Sequence, residues 1–191
     1  MFDTAVFDLD GTLLNTLEDI AGSVNYVLGQ LKYPQVDLET VRMSVGNGSW
    51  VLMEKVLPGG KENPLYEQSV HMQMQYYQQH CQIRTRPYDG MMDVLRFLSD
   101  AGVRMAIVSN KGDGAVRALA DRYFAGIISS AVGERPGIRR KPAPDTVQEA
   151  MRLLGSSRET TVYIGDSEVD YETARQAQIP CILVSWGFRG R

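Results

Sequence analysis

The sequence has little with which to build a disulfide scaffold or a zinc site, because its 191 residues include only two cysteines and two histidines. Cys81 and Cys181 lie far apart in no metal-ligand spacing, so we expect both to be reduced thiols. His71 and His80 fall on opposite sides of a helix, about 180° apart at 3.6 residues per turn. These two histidines therefore cannot share a metal ion.

Long apolar stretches and runs of basic residues are also missing. No stretch of about 18 apolar residues occurs, so the sequence predicts no membrane span. The net charge of −3 and the lack of a basic run disfavour nucleic acid as a partner. Asp8 already belongs to the first apolar motif, which leaves no space for a signal peptide before it. We therefore expect a globular, cytoplasmic protein.

Short apolar runs rich in valine and isoleucine alternate with helical patterns along much of the chain. A helix is predicted from near Asp89 to Asp100, with Gly102 as its stop signal, and another after Pro144. This alternation predicts βαβ units and a mostly parallel, Rossmann-like sheet of the α/β class. The runs expected to form strands are residues 4–8, 103–109, 126–132, 161–165 and 181–185.

Residues 15–84 form a different block, in which no run is convincing as a strand. Thr16 and Asp19 have the spacing of a capping box, which predicts the start of an amphipathic helix. An all-helical block between the first two strands is too long for an ordinary crossover, which needs one helix. We therefore predict an inserted all-helical cap domain over residues 15–84, with residues 1–14 and 85–191 forming the α/β core.

The connections of this cap domain bear on a possible site. The chain is expected to leave the core at Leu14–Asn15 and to return to it at Arg84–Pro87. A turn at Gly46, Asn47 and Gly48 would face the core, where glycines let the backbone approach a ligand. Asn47 could bind a polar group of a substrate, although a simple turn between helices explains the same residues equally well.

Two carboxylates, Asp8 and Asp10, follow the first apolar run at the mouth of a tight turn that Gly11 makes possible. At a separation of about 4 Å and an effective dielectric of about 20, these carboxylates repel each other by about 4 kcal/mol. A divalent cation with oxygen ligands would offset this repulsion. The pattern therefore indicates a metal site at the end of the first strand.

Three more positions with polar residues, which we call stations, follow in order along the chain. Ser109 ends the second predicted strand, Lys141 precedes a proline, and Asp166 ends a later strand with Asp170 four residues beyond it. Together with the loop that begins at Asp8, Asp-x-Asp-Gly-Thr, these stations resemble the haloacid dehalogenase-like superfamily of phosphohydrolases. The resemblance covers nearly the whole chain.

The resemblance implies a role for each station. Asp8 would be a nucleophile that forms an aspartyl-phosphate, and Asp10 would be the general acid and base. Ser109 would donate to a phosphoryl oxygen, and Lys141 would supply a fixed positive charge. Further contacts with the phosphate or the substrate are expected from residues that each also fit a purely structural role: Thr12, Asn47, Gly48 and Asn110.

The resemblance also implies a magnesium site. In this family Mg²⁺ is held by the first aspartate side chain, the backbone carbonyl of the second and a later aspartate, which here are Asp8, Asp10 and Asp166. Asp170 either supports the metal or only caps a helix, because the Ser-x-x-Asp pattern that ends at Asp170 is itself a capping box. Four carboxylates against Lys141 leave three negative charges uncompensated, and oxygen ligands favour Mg²⁺ over Zn²⁺.

Within the family, secondary motifs are most similar to those of phosphoglycolate phosphatases. This similarity implies a Mg²⁺-dependent phosphatase of small phosphorylated metabolites, with the substrate and the oligomeric state left open. The motifs that carry the similarity are Val45–Gly48, Ser109–Lys111, Lys141–Asp145 and Trp186–Phe188.

Other functions share parts of this pattern. A phosphomutase such as β-phosphoglucomutase uses the same core and cap position, and a pyrophosphatase belongs to the same subgroup. A dehalogenase is disfavoured, because it would need neither Asp10 as acid and base nor an acidic metal site. A non-enzymatic phospho-acceptor, similar to response-regulator receivers, combines the same residue types, but receivers lack a helical insert after the first strand.

Overall fold

The computed structural model describes residues 2–189 of the chain. Within them it contains seven strands: β1 (Thr4–Phe7), β2 (Leu14–Asn15), β3 (Arg86–Pro87), β4 (Arg104–Gly112), β5 (Ser130–Glu134), β6 (Thr161–Gly165) and β7 (Cys181–Leu183). Five of these strands form one parallel sheet in the order β5-β4-β1-β6-β7. Because β1 lies in the middle, its carboxyl end meets the carboxyl ends of β4 and β6 at one edge of the sheet.

Helices follow most of the strands, and four of them lie between β2 and β3. In residues 2–189 the α-helices are α1 (Leu17–Gln30), α2 (Leu38–Ser44), α3 (Gly48–Val56), α4 (Tyr66–His80), α5 (Met91–Asp100), α6 (Asp113–Phe124), α7 (Asp145–Leu154) and α8 (Glu168–Ala177). Single turns of 3₁₀ helix occur at Gly60–Glu62 and Arg158–Thr160. The predicted α/β class, with a mostly parallel sheet and an all-helical insert, is confirmed. No helix in the described part of the chain is long and apolar enough to cross a membrane.

Strands β1 and β4 are buried on both faces, which explains why their sequences are continuous apolar runs. Val6 and Val108 belong to a core cluster that also contains side chains of α7 and α8. Phe7 and Ile107, the next positions on the other face, pack in a larger cluster that includes Leu119 of α6 and much of the helical insert. The sheet therefore has helices on both sides, and its central strands are packed in the core.

The third predicted strand is displaced along the chain. The sequence favoured residues 126–132, but β5 begins four positions later, at Ser130. Gly126 adopts a left-handed φ of +77°, and the N–H groups of Ile127 and Ile128 donate to the carbonyl of Phe124. These residues therefore complete the end of α6 instead of joining the sheet, although they are apolar and pack on the core.

The capping box predicted at the start of α1 is wrong, although the helix begins where it was expected. Thr16 makes no capping hydrogen bond, because its hydroxyl donates to Oδ1 of Asp10 at 2.6 Å. Asp19 instead accepts hydrogen bonds from the backbone N–H groups of Ile83, Arg84 and Thr85, at 2.9–3.0 Å. The capping box does not form, because the side chain of Asp19 binds donors from a distant part of the chain.

The two crossings between the core and the helical insert lie side by side. Strand β2 pairs antiparallel with β3, with Leu14 opposite Pro87 and Asn15 opposite Arg86. This short ribbon places the start and the end of the insert next to each other, at the positions expected for the hinges. The division into a core of residues 1–14 and 85–191 and a cap of residues 15–84 stays a prediction, and the ribbon supports it.

Candidate active site

The carboxyl ends of β1 and β6 bring two of the expected aspartates together. Asp8 follows β1 directly, and its backbone N–H still donates to the carbonyl of Ile164 in β6, at 2.8 Å. Asp166 follows the last residue of β6. Both aspartates line a cavity that lies between the core and the helical insert, and Asp8 is only 5% exposed.

Lys141 enters the same cavity as a buried cation. Its Nζ donates to Oδ1 of Asp8 at 2.6 Å, to Oδ1 of Asp170 at 2.7 Å and to the hydroxyl of Tyr163 at 3.0 Å. Burial acts to lower the pKa of Lys141, but Asp170 and Asp8 outweigh it and raise that pKa above its usual value. Lys141 is therefore a fixed positive charge between two carboxylates.

Asp170 caps helix α8 and also supports the charged cluster. Its Oδ2 accepts from the hydroxyl of Ser167 at 2.6 Å and from the N–H groups of Asp166 and Ser167, which completes the capping box. Its Oδ1 accepts from Lys141 and from Tyr163. Burial favours the neutral acid, but Lys141 overcomes this effect and lowers the pKa of Asp170. The structural and the electrostatic roles coexist in one side chain.

Three carboxylates could hold a metal ion. Asp8, Asp166 and Asp170 each offer an oxygen, and these oxygens lie within 4.8 Å of one another. Burial and the neighbouring carboxylates raise the pKa of Asp8 despite Lys141, and burial and Asp170 raise the pKa of Asp166 to about 6. Excess negative charge is thus concentrated here. A ligand set made only of oxygens fits a hard divalent cation such as Mg²⁺.

Asp10 stands apart from these three carboxylates. Its Oδ1 accepts from the hydroxyl of Thr16 and from Nζ of Lys111, both at 2.6 Å. Lys111 also donates to the hydroxyl of Tyr77 at 2.6 Å. Burial and the nearby Asp10 raise the pKa of Tyr77, so this hydroxyl stays protonated. Neither Lys111 nor Tyr77 was predicted from the sequence to belong to the site: Tyr77 was expected on the inner face of a cap helix, and Lys111 directly follows the Ser109–Asn110 station.

The remaining core residues of the predicted site are buried near Asp8. Ser109 lines the cavity close to the end of β4 and is 2% exposed. Asn110 also lines it and donates to the backbone carbonyls of Gly46 and Lys141, at 3.1 and 2.9 Å. Among the described residues, Thr12 does not line the cavity. Its hydroxyl donates to Oδ2 of Asp8, the expected nucleophile, at 3.4 Å.

The helical insert supplies the opposite wall of the cavity. Gly48 comes close to the core, because a Cβ there would meet the carbonyl oxygen of Asn110 at 3.1 Å. Asn47 is not among the residues that line the cavity in the described chain; it precedes α3 without a capping hydrogen bond from its side chain. Its binding role stays a prediction. The residues of the insert that do line the cavity are Ile20, Val45, Gly46, Gly48, Ser49, Leu52, Gln73 and Tyr77.

A segment after β7 also packs against the site; its Trp186–Phe188 motif was used for the family similarity but was not predicted to contact site residues. The N–H of Phe188 donates to Oδ2 of Asp166 at 2.7 Å, and the indole N–H of Trp186 donates to the carbonyl of Thr12 at 3.1 Å. Arg189 donates to the carbonyls of Arg42 and Val45 at the end of α2. The segment therefore joins the acidic cluster to the insert.

The chain is similar to known proteins along most of its length. The family model of haloacid dehalogenase-like hydrolases matches residues 5–184. The phosphoglycolate phosphatase of Pseudomonas putida is 33% identical over 189 residues, which cover 96% of this chain and 69% of that protein. The phosphoglycolate phosphatase of Thiobacillus denitrificans is 33% identical over 196 residues, with 97% of this chain and 85% of that protein covered.

A solved structure shows the same fold. It is the crystal structure of a Lactobacillus delbrueckii protein that is provisionally described as a phosphoglycolate phosphatase. The two chains are 36% identical and superpose with a TM-score of 0.91, over 99% of this chain and 88% of the other. The fold likeness therefore extends over the core and the helical insert together.

Proposed function

Because the chain belongs to the haloacid dehalogenase-like hydrolases, we propose that it hydrolyses small phosphate monoesters through an aspartyl-phosphate on Asp8. The observation that carries this proposal is the contact of 2.6 Å between the carboxylate of Asp8 and the ammonium of Lys141, both buried at the wall of the cavity. A nucleophilic carboxylate needs a nearby positive charge to approach a dianionic phosphate.

The proposed reaction has two steps. In the first, an oxygen of Asp8 forms a bond to phosphorus, the bond to the ester oxygen breaks, and Asp10 gives a proton to the leaving alkoxide. In the second, Asp10 takes a proton from water, whose oxygen forms a bond to phosphorus as the aspartyl bond breaks. Inorganic phosphate leaves, and both carboxylates return to their starting states. Ser109 and Lys141 hold the phosphoryl oxygens in both steps.

The acidic cluster supports a dependence on Mg²⁺. Asp8 and Asp166 would hold the ion, with Asp170 beside them and the backbone carbonyl of Asp10 as the further ligand that the family resemblance implies. When bound, the cation would neutralise carboxylate charge and polarise the phosphoryl group. The fit to a cation rests on the buried carboxylate oxygens. They lie close together, and the positive charge near them does not fully neutralise them.

The substrate class follows from the relatives and from the wall that the helical insert provides. Relatives over most of this chain are phosphoglycolate phosphatases, so we propose a small phosphorylated metabolite, with two-carbon acid phosphates as the first candidates. The insert contributes large side chains to the cavity wall, such as Leu52, Gln73 and Tyr77, as well as two glycines and a serine. A lid of this size favours small substrates over phosphorylated proteins.

The decisive experiment compares phosphate release by the wild type and by Asp8→Asn. A panel of two-carbon acid phosphates, sugar phosphates, nucleotides and pyrophosphate, each with Mg²⁺, identifies the substrate class. We expect Asp8→Asn to lose several orders of magnitude in rate, as loss of a covalent nucleophile does, with little change in thermal stability. Asp121→Asn, at an exposed site on α6, is the matched control and should stay active.

Two outcomes would count against the proposal. If Asp8→Asn keeps more than about a tenth of the wild-type rate, Asp8 is not the nucleophile, because such residues contribute far more. If an acyl-phosphate forms on the wild-type protein but persists for minutes without turnover, the chain is a phospho-acceptor and not a phosphatase. Rapid quenching with radiolabelled substrate measures this lifetime directly.

A further inference from the structure

We propose that Lys111 and Tyr77 form a positioning pair that holds Asp10 in place for proton transfer while the helical insert contacts the core. The inference rests on the proposed function, because Asp10 matters in this way only if it protonates the leaving group. It concerns two residues that act through Asp10 and need not touch the substrate.

The geometry of the pair is tight. Nζ of Lys111 lies 2.6 Å from Oδ1 of Asp10 and 2.6 Å from the hydroxyl oxygen of Tyr77, and 4.3 Å from the centre of the Tyr77 ring. The side chain of Lys111 is only 8% exposed. An ammonium group removed from water needs such partners, so its position is tied to both residues.

The three side chains come from different parts of the fold. Asp10 lies in the loop after β1 and Lys111 lies near the end of β4, two strands that are paired in the sheet. Their proximity therefore follows from the core alone. Tyr77 lies on α4, in the insert, so its contact with Lys111 exists only where α4 is docked against the core. The hydroxyl contact thus makes the position of Lys111 depend on the insert.

The pair leaves one oxygen of Asp10 available. Lys111 and Thr16 both donate to Oδ1, whereas Oδ2 of Asp10 accepts no hydrogen bond within residues 2–189. With Oδ1 fixed by two donors, Oδ2 is the oxygen that would carry the proton to the leaving group. Loss of the Tyr77 hydroxyl frees Lys111 to turn away, and the carboxyl group of Asp10 then loses its orientation.

The leaving group separates this role from a purely structural one. An alkoxide needs a proton in order to leave, whereas nitrophenolate leaves readily without one. A mispositioned general acid should therefore slow alkyl phosphates strongly and nitrophenyl phosphate weakly, since general acid catalysis is worth about 10²–10⁴-fold. The ratio kcat/KM is the correct measure, because it extends only to the first irreversible step and is not affected by hydrolysis of the aspartyl-phosphate.

The test uses Tyr77→Phe, which keeps the ring and removes the hydroxyl, and Lys111→Met, which keeps the length and removes the charge. With ethyl phosphate as the alkyl substrate, we expect kcat/KM to fall at least about tenfold in both variants. With nitrophenyl phosphate we expect a fall of less than about threefold, on the same grounds. Tyr76→Phe, at the neighbouring position of α4, is the matched control and should change neither value.

Asp10→Asn distinguishes a failure of this inference from a failure of the proposed function. If Asp10→Asn shows no preference for the better leaving group, Asp10 is not the general acid. If it shows that preference but Tyr77→Phe and Lys111→Met slow both substrates equally, the pair only supports the docking of the insert and the inference is wrong. An effect of Lys111→Met confined to KM would also overturn it, because Lys111 would then bind substrate directly.

Discussion

The backbone N–H of Phe188 donates a hydrogen bond of 2.7 Å to Oδ2 of Asp166, from a segment that follows the last strand. The residue before it, Gly187, lies against the same carboxylate so closely that a Cβ at this position would overlap it. A Cβ on Gly11 would overlap it from another direction. The carboxylate of Asp166 is therefore oriented by backbone packed around it, which would hold a metal ligand in place.

Gly187→Ala is predicted to weaken Mg²⁺ binding more than it weakens the fold. The added methyl group would overlap the side chain of Asp166, so either that side chain or the backbone at Gly187 must move. We expect the Mg²⁺ concentration for half-maximal activity to rise at least about tenfold, in the range reported for altered support of metal ligands. Gly22→Ala, in α1 with no atom within 4 Å of the added Cβ, is the control and should leave Mg²⁺ activation unchanged. Unaltered activation in Gly187→Ala would show that the close packing of this backbone does not position a metal ligand.

Asp19→Ala is predicted to destabilise the protein, because Asp19 binds the segment through which the chain returns from the insert to the core. Asp19 accepts hydrogen bonds from three successive backbone N–H groups, at Ile83, Arg84 and Thr85, and is buried. Alanine would leave these donors without a partner, at a total cost of about 3 kcal/mol. For a chain of this length, that corresponds to a fall of roughly 6–12 °C in Tm.

The neighbouring residue provides the control for this prediction. Glu18 also faces the return crossing, but its contacts with Arg84 and Arg86 are ion pairs between exposed side chains. Such pairs contribute about 0–1 kcal/mol, so Glu18→Gln should shift Tm by no more than a few degrees. Equal losses in the two variants would mean that the backbone contacts of Asp19 have no special weight.

The stabilising effect of Mg²⁺ is predicted to depend on pH. Burial and the nearby Asp170 raise the pKa of Asp166 from 3.8 to about 6. A protonated carboxyl group does not bind the ion, so Mg²⁺ affinity should be nearly constant above pH 7 and fall as the pH drops through 6. We expect Mg²⁺ to raise Tm clearly at pH 7.5 and much less at pH 5.

The sign is opposite for the protein without metal. Because the folded state keeps the proton of Asp166 to a higher pH than the unfolded state, this residue lowers stability as the pH rises from about 4 to 6. Asp166→Asn should remove both the pH dependence and most of the Mg²⁺ effect. A rise in Tm that is the same at both pH values in the wild type would contradict this account.

The sequence was sufficient for the parts of the site that follow from the sheet. Strands β1 and β4 are apolar runs because both faces are buried, whereas β6 alternates buried and half-buried residues. The polar site residue near the end of each strand lies at one edge because the strands are parallel. The order of stations from Asp8 to Asp170 could therefore be interpreted without a structure. A strand that is buried on both sides is apolar at successive positions, so it can be identified from one short stretch of sequence.

The remaining contacts join residues that no local pattern connects. Tyr77 meets Lys111, and Phe188 meets Asp166, only after the insert and the final segment pack on the core. The capping box predicted at Thr16 is an error of another kind. Its local spacing is correct, but Asp19 accepts hydrogen bonds from the backbone near Thr85 instead. Such contacts depend on tertiary packing, which a single sequence does not reveal.

The side-chain oxygen of Gln73, on α4, is a hydrogen-bond acceptor that has no partner among the described residues. Its Nε2 donates to the hydroxyl oxygen of Ser23 at 2.9 Å, and that hydroxyl in turn donates to the carbonyl of Ile20. The orientation of the amide is therefore fixed, with Oε1 as an acceptor. Gln73 lines the cavity and is 3% exposed, and its Oε1 has no hydrogen-bond partner within residues 2–189.

Replacing Gln73 with methionine is predicted to change the ranking of substrates. Oε1 can accept from a substrate hydroxyl but not from a carboxylate, so phosphates that carry a hydroxyl group should lose most. Loss of one such contact is worth about 1–1.5 kcal/mol, or roughly five- to tenfold in kcat/KM. The comparison is glycerol phosphate against propyl phosphate, which differ in their hydroxyl groups, with Gln75→Met on the exposed face of α4 as the control. If the ratio of the two kcat/KM values is the same in Gln73→Met and in the wild type, the amide only supports Ser23, and selection for hydroxyl groups lies elsewhere in the cavity.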